Sequence, residues 1–204
     1  MTQRPAVVGF DLDMTLIDSR PAILASFAAV ATETGVAIDP AGVDSRLGVK
    51  LETELAHWFP ADEISAAIAI YRRHYPVLSG PLTRALPGAH EALAAVRSAG
   101  AHAVVITAKF EPTARRSLDD LGLEVDAVYG EAHGPEKATV LASLGAGVYI
   151  GDTPPDMDAA VLAGAYPVGV TTGSFPGSDL QLAGAKVVLA SLAEFPDWYR
   201  QYRG

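Results

Sequence analysis

Four times between residues 87 and 164 a proline opens a helix-like stretch and a glycine closes it, and short apolar runs lie between these stretches. The stretches are 87–99, 112–121, 135–144 and 155–163, ended by Gly100, Gly122, Gly145 and Gly164. Proline presets the helical φ and lacks an N–H that a first turn leaves unpaired anyway. Glycine tolerates the left-handed conformation in which helices commonly end. The intervening runs, 103–106, 125–129, 148–150 and 167–170, with 186–189 further on and 6–10 at the start, are dominated by Val, Ile, Ala and Tyr. Such runs read as strands buried on both faces. Strands alternating with helices predict an α/β fold, a Rossmann-like parallel sheet with right-handed helical crossovers. A last helix is expected over 192–202.

Residues 18–82 break this rhythm. Asp18 or Ser19 can cap a helix with Pro21 in its first turn, in which Ile23, Leu24, Phe27, Val30 and Ala31 recur at helical spacing up to Gly35. Residues 51–58 and 61–75 read as two more helices, divided at Pro60, with Asp62 as a cap. The stretch 76–88, with Gly80-Pro81 and Pro87-Gly88, reads as a turn-rich boundary. Three helices after a single strand predict an inserted helical cap over 18–82, with 1–17 and 83–204 forming the core. A chain of 204 residues suits one core and one small accessory domain.

Composition narrows the function. The net charge is −9, from 15 basic and 24 acidic residues, and no run of Lys or Arg exceeds a pair, which argues against a nucleic-acid partner. No window approaches a membrane-spanning length of apolar residues, and no basic segment leads into an apolar signal core, so a cytoplasmic protein without membrane attachment is expected. There is no cysteine, which excludes disulfides and thiolate chemistry. His57, His74, His90, His102 and His133 lack ligand spacing, so a zinc site is not expected.

The polar residues gather where such a sheet does its chemistry, in the crevice beyond the carboxyl ends of its strands. Asp11 and Asp13 follow the first run, Thr107 follows 103–106, and Asp152 follows 148–150. Asp156 falls in the first turn of the helix opened by Pro155, and Lys137 in that of the helix opened by Pro135. Taken singly, each has an ordinary structural role as turn residue, helix-dipole carboxylate or surface charge. Together they converge on one edge. Two unit charges about 4 Å apart interact by roughly 4 kcal/mol at an effective dielectric of about 20, so crowded carboxylates call for a cation. A site of carboxylate and carbonyl oxygens suits Mg²⁺, which binds through one or two carboxylates plus substrate phosphate.

These residues resemble the motifs of the haloacid dehalogenase-like superfamily, in its phosphatase branch with a helical cap, similar to phosphoglycolate phosphatases. Asp11-Leu12-Asp13-Met14-Thr15 resembles the first motif, Thr107 the second, Lys137 the third, and Gly151-Asp152-Thr153-Pro154-Pro155-Asp156 the fourth. The similarity runs from Val7 to about Gly173. It implies a Mg²⁺-dependent phosphomonoesterase acting on a small soluble phosphorylated metabolite, with Asp11 as nucleophile and Asp13 as general acid and base. It implies a metal held by Asp11, the Asp13 carbonyl and Asp152, with Asp156 beside it, and phosphoryl oxygens held by Thr107 and Lys137. An acid at position 13 favours phosphate esters over haloacids. Met14 stands where the family usually has Gly, and Lys109, in Thr107-Ala108-Lys109, resembles the Lys of a Thr-Asn-Lys motif and is a second cationic candidate. Arg46, Lys50, Arg72, Arg73 and Arg84 of the cap are left unassigned. A sugar phosphomutase shares the core and cap and is the alternative; a non-catalytic phospho-acceptor switch is a remote third.

Overall fold

The computed structural model describes residues 6–203. The chain begins with β1 (Val7–Phe10), β2 (Ile17–Asp18) and four helices, α1 (Arg20–Thr34), α2 (Pro40–Ser45), α3 (Leu51–Leu55) and α4 (Ile64–Leu82). It returns through β3 (Arg84–Ala85) and then alternates: α5 (Ala89–Ser98), β4 (His102–Ile106), α6 (Glu111–Asp120), β5 (Ala127–Tyr129), α7 (Pro135–Leu144) and β6 (Ala146–Gly151). It closes with α8 (Pro154–Ala163), β7 (Tyr166–Val170), α9 (Gly177–Leu182), β8 (Val187–Leu189) and α10 (Phe195–Arg203).

Six strands form one parallel sheet in the order β5-β4-β1-β6-β7-β8. β1 lies between β4 and β6, where the connections diverge to opposite halves of the sheet. Its carboxyl end therefore opens into the crevice at the switch point. Side chains alternate between the two faces, as a pleated strand requires. Val8, Phe10, Val105, Val148 and Ile150 join Leu93, Leu118 and Phe195 in one buried cluster, on the α5, α6 and α10 side. Val104, Ile106 and Tyr149 join Ala138, Leu141 and Ala160 in a second, under α7 and α8. The glycines predicted to stop helices do so: Gly35, Gly145 and Gly164 sit in the left-handed region at φ 73°, 61° and 73°.

α1 to α4 have a hydrophobic cluster of their own, containing Phe27, Val30, Val43, Leu55, Phe59 and Tyr75. The chain enters and leaves this group along the antiparallel pair β2–β3, Ile17 opposite Ala85 and Asp18 opposite Arg84. No described helix is long and apolar enough to cross a membrane.

The structure corrects several expectations. The stretch from 76, expected to be turn-rich, remains helical to Leu82, with Pro76 and Pro81 inside α4. Each proline removes a helical hydrogen bond. Ala67, Tyr71, Tyr75 and Ser79 nevertheless follow one another at i+4 and face inward, so packing of that stripe overrides the local penalty. α2 and α9 were not expected, being single short turns without a long apolar repeat, so four helices rather than three separate β2 from β3. Asp62 does not cap, since α4 begins at Ile64 after Glu63. α8 starts one residue early, at Pro154, with Thr153 as its N-cap.

Candidate active site

The segment after β1 is wound around one carbonyl. Leu12 O accepts the N–H groups of Thr15, Leu16 and Ile17 at 3.2, 2.9 and 3.0 Å, while Asp11 N–H still bonds Ile150 O of β6 at 2.8 Å. Winding the chain this tightly holds Met14 at φ 63°, a left-handed conformation unusual for a residue with a side chain. The turn sends the two carboxylates of the first motif to different partners.

Asp11 is 3% exposed and belongs to a buried acidic group. One carboxylate oxygen from each of Asp11, Asp152 and Asp156 lies within 4.8 Å of the others. Lys137, from the first turn of α7, places its ammonium 2.8 Å from Asp11 Oδ1 and 2.6 Å from Asp156 Oδ1. Asp156 is otherwise fully engaged: Thr153 N–H and Oγ1 donate to its Oδ2 at 3.2 and 2.6 Å, and Tyr149 OH, which donates to Ile106 O at 2.9 Å, lies 3.3 Å from Oδ1. Asp152 accepts the Thr15 hydroxyl at 2.8 Å. Two glycines make room for this crowding. A Cβ on Gly151 would lie 2.5 Å from Asp156 Cγ, and one on Gly173 would lie 1.9 Å from Asp152 Oδ2.

Burial pushes the Asp11 carboxyl up to about 7, against the pull of Lys137 and with a further push from Asp156. Burial, then the charges of Asp11 and Asp156, hold Asp152 well above the carboxylate range. Burial works against the Lys137 ammonium, but Asp11 and Asp156 outweigh it and keep Lys137 protonated. Three carboxylates facing one ammonium leave this buried group short of positive charge. The donors are all hard oxygens, so the residues present fit a small divalent cation of the Mg²⁺ kind.

Asp13 is turned away from that group. Its carboxylate accepts from Lys109 Nζ at 2.8 and 3.0 Å and from the Ser19 hydroxyl. Lys109 Nζ also sits 4.5 Å from the centroid of the Tyr75 ring. Burial opposes the Lys109 charge, yet Asp13, then Tyr75 and Tyr71, hold it above the usual lysine range. Thr107, at the end of β4, is buried, accepts the Lys109 N–H on Oγ1 at 3.2 Å, and lines the same cavity as Asp11 and Asp13. The structure thus brings Asp11, Lys137, Asp152 and Asp156 together, with Asp13 and Thr107 on the shared cavity wall. Lys109, a second cationic candidate in the sequence, is the partner of Asp13; Thr15, quoted there only as part of the first motif, bonds Asp152, and Ser19, expected only as a helix cap, bonds Asp13. Nothing local marks Tyr149, which reaches the neighbourhood of Asp156 across the sheet face.

The cavity, of about 160 Å³, lies between these strand ends and α1, α4 and the segment 46–52. That segment is fastened to the sheet side: Lys50 pairs with Glu136 at 2.7 Å, and His133 Nδ1 is hydrogen-bonded to Gly48 O at 3.1 Å. Arg72 of α4 stacks 4.0 Å from the Phe110 ring and pairs with Glu131 at 3.4 Å.

The sequence pattern that defines the haloacid dehalogenase-like hydrolases matches residues 8–170, which include Asp11, Asp13, Thr107, Lys137, Asp152 and Asp156. The chain belongs to that family. Among curated relatives, the tyrosine-protein kinase PtkA of Mycobacterium tuberculosis is 32% identical over 123 residues, covering 60% of this chain and 42% of PtkA. The chain thus spans less than half the length of that relative. A phosphoglycolate phosphatase of Mesorhizobium japonicum is 29% identical over 191 residues, covering 83% of this chain and 84% of the relative. Among solved structures, a haloacid dehalogenase-like family hydrolase from Streptococcus pneumoniae superposes with a TM-score of 0.82 at 24% identity. That superposition covers 98% of this chain and 99% of the other, and it shows the shared fold.

Proposed function

We propose that the chain is a phosphomonoesterase of a small soluble phosphorylated metabolite, working through an aspartyl phosphate on Asp11. The observation that carries this reading is the separation of two carboxylates two residues apart. Asp11 is buried against Lys137 beside Asp152, while Asp13 faces the same cavity with Lys109 and Ser19 as partners. A nucleophile and an acid/base need such different surroundings to act on one substrate.

In the first step an Asp11 oxygen forms a bond to phosphorus as the ester oxygen leaves, and Asp13 gives that oxygen a proton. In the second step Asp13 takes a proton from water, whose oxygen attacks phosphorus and returns Asp11 with release of inorganic phosphate. Lys137 and Thr107 hold the phosphoryl oxygens, where charge must be stabilised during transfer. Asp11, Asp152 and the Asp13 carbonyl would hold Mg²⁺, which when bound neutralises charge on the carboxylates and phosphoryl group. Asp156, with both oxygens already engaged, keeps Lys137 pointed at Asp11 and lies next to the metal ligands. Residues 18–82 act as a cap on a core made of 1–17 and 83–204. Their separate hydrophobic cluster and the single crossing at β2–β3 support that division.

The test is phosphate release from a panel of small phosphate monoesters, with Mg²⁺ and with EDTA, by the native chain and by Asp11→Asn. Release that requires the metal and falls by at least a thousandfold in the variant is expected. Release unchanged by chelation and by the substitution would overturn the reading.

A further inference from the structure

The cavity walls away from Asp11 have a chemistry of their own. Ile23, Phe27, Val43, Leu51, Tyr71 and Phe110 make them largely apolar. Their rings form a connected surface: Phe27 and Tyr71 centroids are 5.1 Å apart, and Tyr71 and Tyr75 stack at 5.6 Å with planes 21° apart. A second anion on the substrate, such as a carboxylate, is held most strongly by a free cation in this wall.

Four basic side chains line the cavity, and each is paired with a carboxylate, Arg46 and Lys109 with a largely buried one. Arg46 donates two hydrogen bonds to Glu54, at 2.8 and 2.7 Å, and Trp58 Nε1 donates to the same carboxylate at 3.1 Å. Glu54 is itself buried, so turning the Arg46 guanidinium to a ligand would strand a buried carboxylate. Lys50 pairs with Glu136, Arg72 with Glu131, and Lys109 with Asp13. Glu52 lines the cavity as well and adds negative charge at its rim. Tyr75, 2% exposed and also in the lining, carries a hydroxyl with no hydrogen-bond partner among the described residues.

Size sets the remaining limit. A cavity of about 150 Å³ lined by Leu, Ile and Phe accepts benzene. The space here, about 160 Å³ and partly open to solvent, is of that order, so one ring fills its enclosed part.

We infer that the leaving group is an uncharged alcohol or phenol bearing an apolar ring, so that the substrates are phosphate monoesters of small ring-bearing alcohols and not of hydroxy acids. This rests on the phosphomonoesterase reading above. Glu54 and Glu131 then act as specificity residues by neutralising Arg46 and Arg72.

The experiment compares kcat/KM for benzyl phosphate, ribose 5-phosphate and phosphoglycolate at one Mg²⁺ concentration, in the native chain and in Glu54→Gln and Glu131→Gln. Benzyl phosphate is expected to exceed phosphoglycolate at least tenfold, and each variant, by freeing its arginine, to shift that ratio towards phosphoglycolate, Glu54→Gln by at least tenfold. Glu131 is exposed, so its variant reports even if Glu54→Gln fails to fold. Preference of the native chain for phosphoglycolate or ribose 5-phosphate, or ratios unmoved in folded variants, overturns the inference while leaving the phosphatase reading intact. Absence of phosphate release from every ester removes both.

Discussion

Replacing Lys137 with methionine keeps most of the apolar stem of the side chain and deletes the ammonium, with its charge and its hydrogen bonds to Asp11 and Asp156. At an effective dielectric of about 20, unit charges 2.8 Å apart attract by roughly 6 kcal/mol, and Lys137 makes two such contacts. Desolvation of the three groups offsets most of that attraction, so the pairing itself adds little net stability. Removing the cation alone is different, because two buried carboxylates are left uncompensated, at a cost of about 3–5 kcal/mol. Asp11 can limit the damage by taking up a proton, since burial already raises it to about 7. The deficit should therefore be smaller at pH 6 than at pH 8. In urea unfolding with EDTA at pH 8, with a slope of about 2 kcal/mol/M, the midpoint should fall by about 2 M with the slope unchanged. Added Mg²⁺ should stabilise the variant more than the native chain, since it binds only the folded acidic group and meets one less positive charge there. A deficit below about 1 kcal/mol, or one equal at pH 6 and pH 8, would refute the assignment of Lys137 as the counter-ion of a buried acidic group.

Met14→Gly relieves a left-handed residue worth about 1–2 kcal/mol but removes a buried side chain worth about 1.5–3 kcal/mol and loosens the unfolded chain. The net effect should be destabilising by about 1 kcal/mol, read as a melting temperature lower by about 2–4 °C; a rise would show that backbone strain outweighs packing here. Lys109→Met removes the ammonium that holds the Asp13 carboxylate, so kcat should fall by about 100-fold on alkyl phosphates and much less on p-nitrophenyl phosphate, whose leaving group needs no proton. Equal losses on both would contradict a role through Asp13. In the metal-free protein the Asp11 carboxyl lies above its ordinary 3.8, so the folded state binds more protons than the unfolded one and stability falls as pH rises from about 4 to about 7. Mg²⁺ must displace that proton, and calorimetric affinity should tighten between pH 6 and pH 8 with proton release; affinity independent of pH would contradict it.

The sheet was legible because α5, α6, α7 and α8 lie in stretches bracketed by proline and glycine, signals that act locally and survive without tertiary context; α9, the crossover from β7 to β8, was not read. Asp11, Thr107, Lys137, Asp152 and Asp156 followed from it, since strand ends and first helical turns fix which edge they occupy. The pairing of Asp13 with Lys109 was not legible. It depends on how the turn around Leu12 O rotates one carboxylate away from its neighbour, a matter of three backbone hydrogen bonds rather than residue spacing. α4 was cut short at Pro76 because its continuation depends on the packing of Tyr75 and Ser79, which local turn chemistry does not encode. The neutralised arginines of the cavity were hidden for the same reason, as Arg46 and Glu54 are close in sequence but Arg72 and Glu131 are not.

The proposed mechanism stands or falls with Asp11 as the carrier of the phosphoryl group. A crystal of the protein grown with Mg²⁺ and beryllium fluoride, a mimic of an aspartyl phosphate, shows whether it is. Beryllium is expected on an Asp11 carboxylate oxygen, with fluorides held by Lys137 and Thr107 and Mg²⁺ between Asp11 and Asp152. Density on another side chain, or an Asp11 left bare beside bound metal, would contradict it.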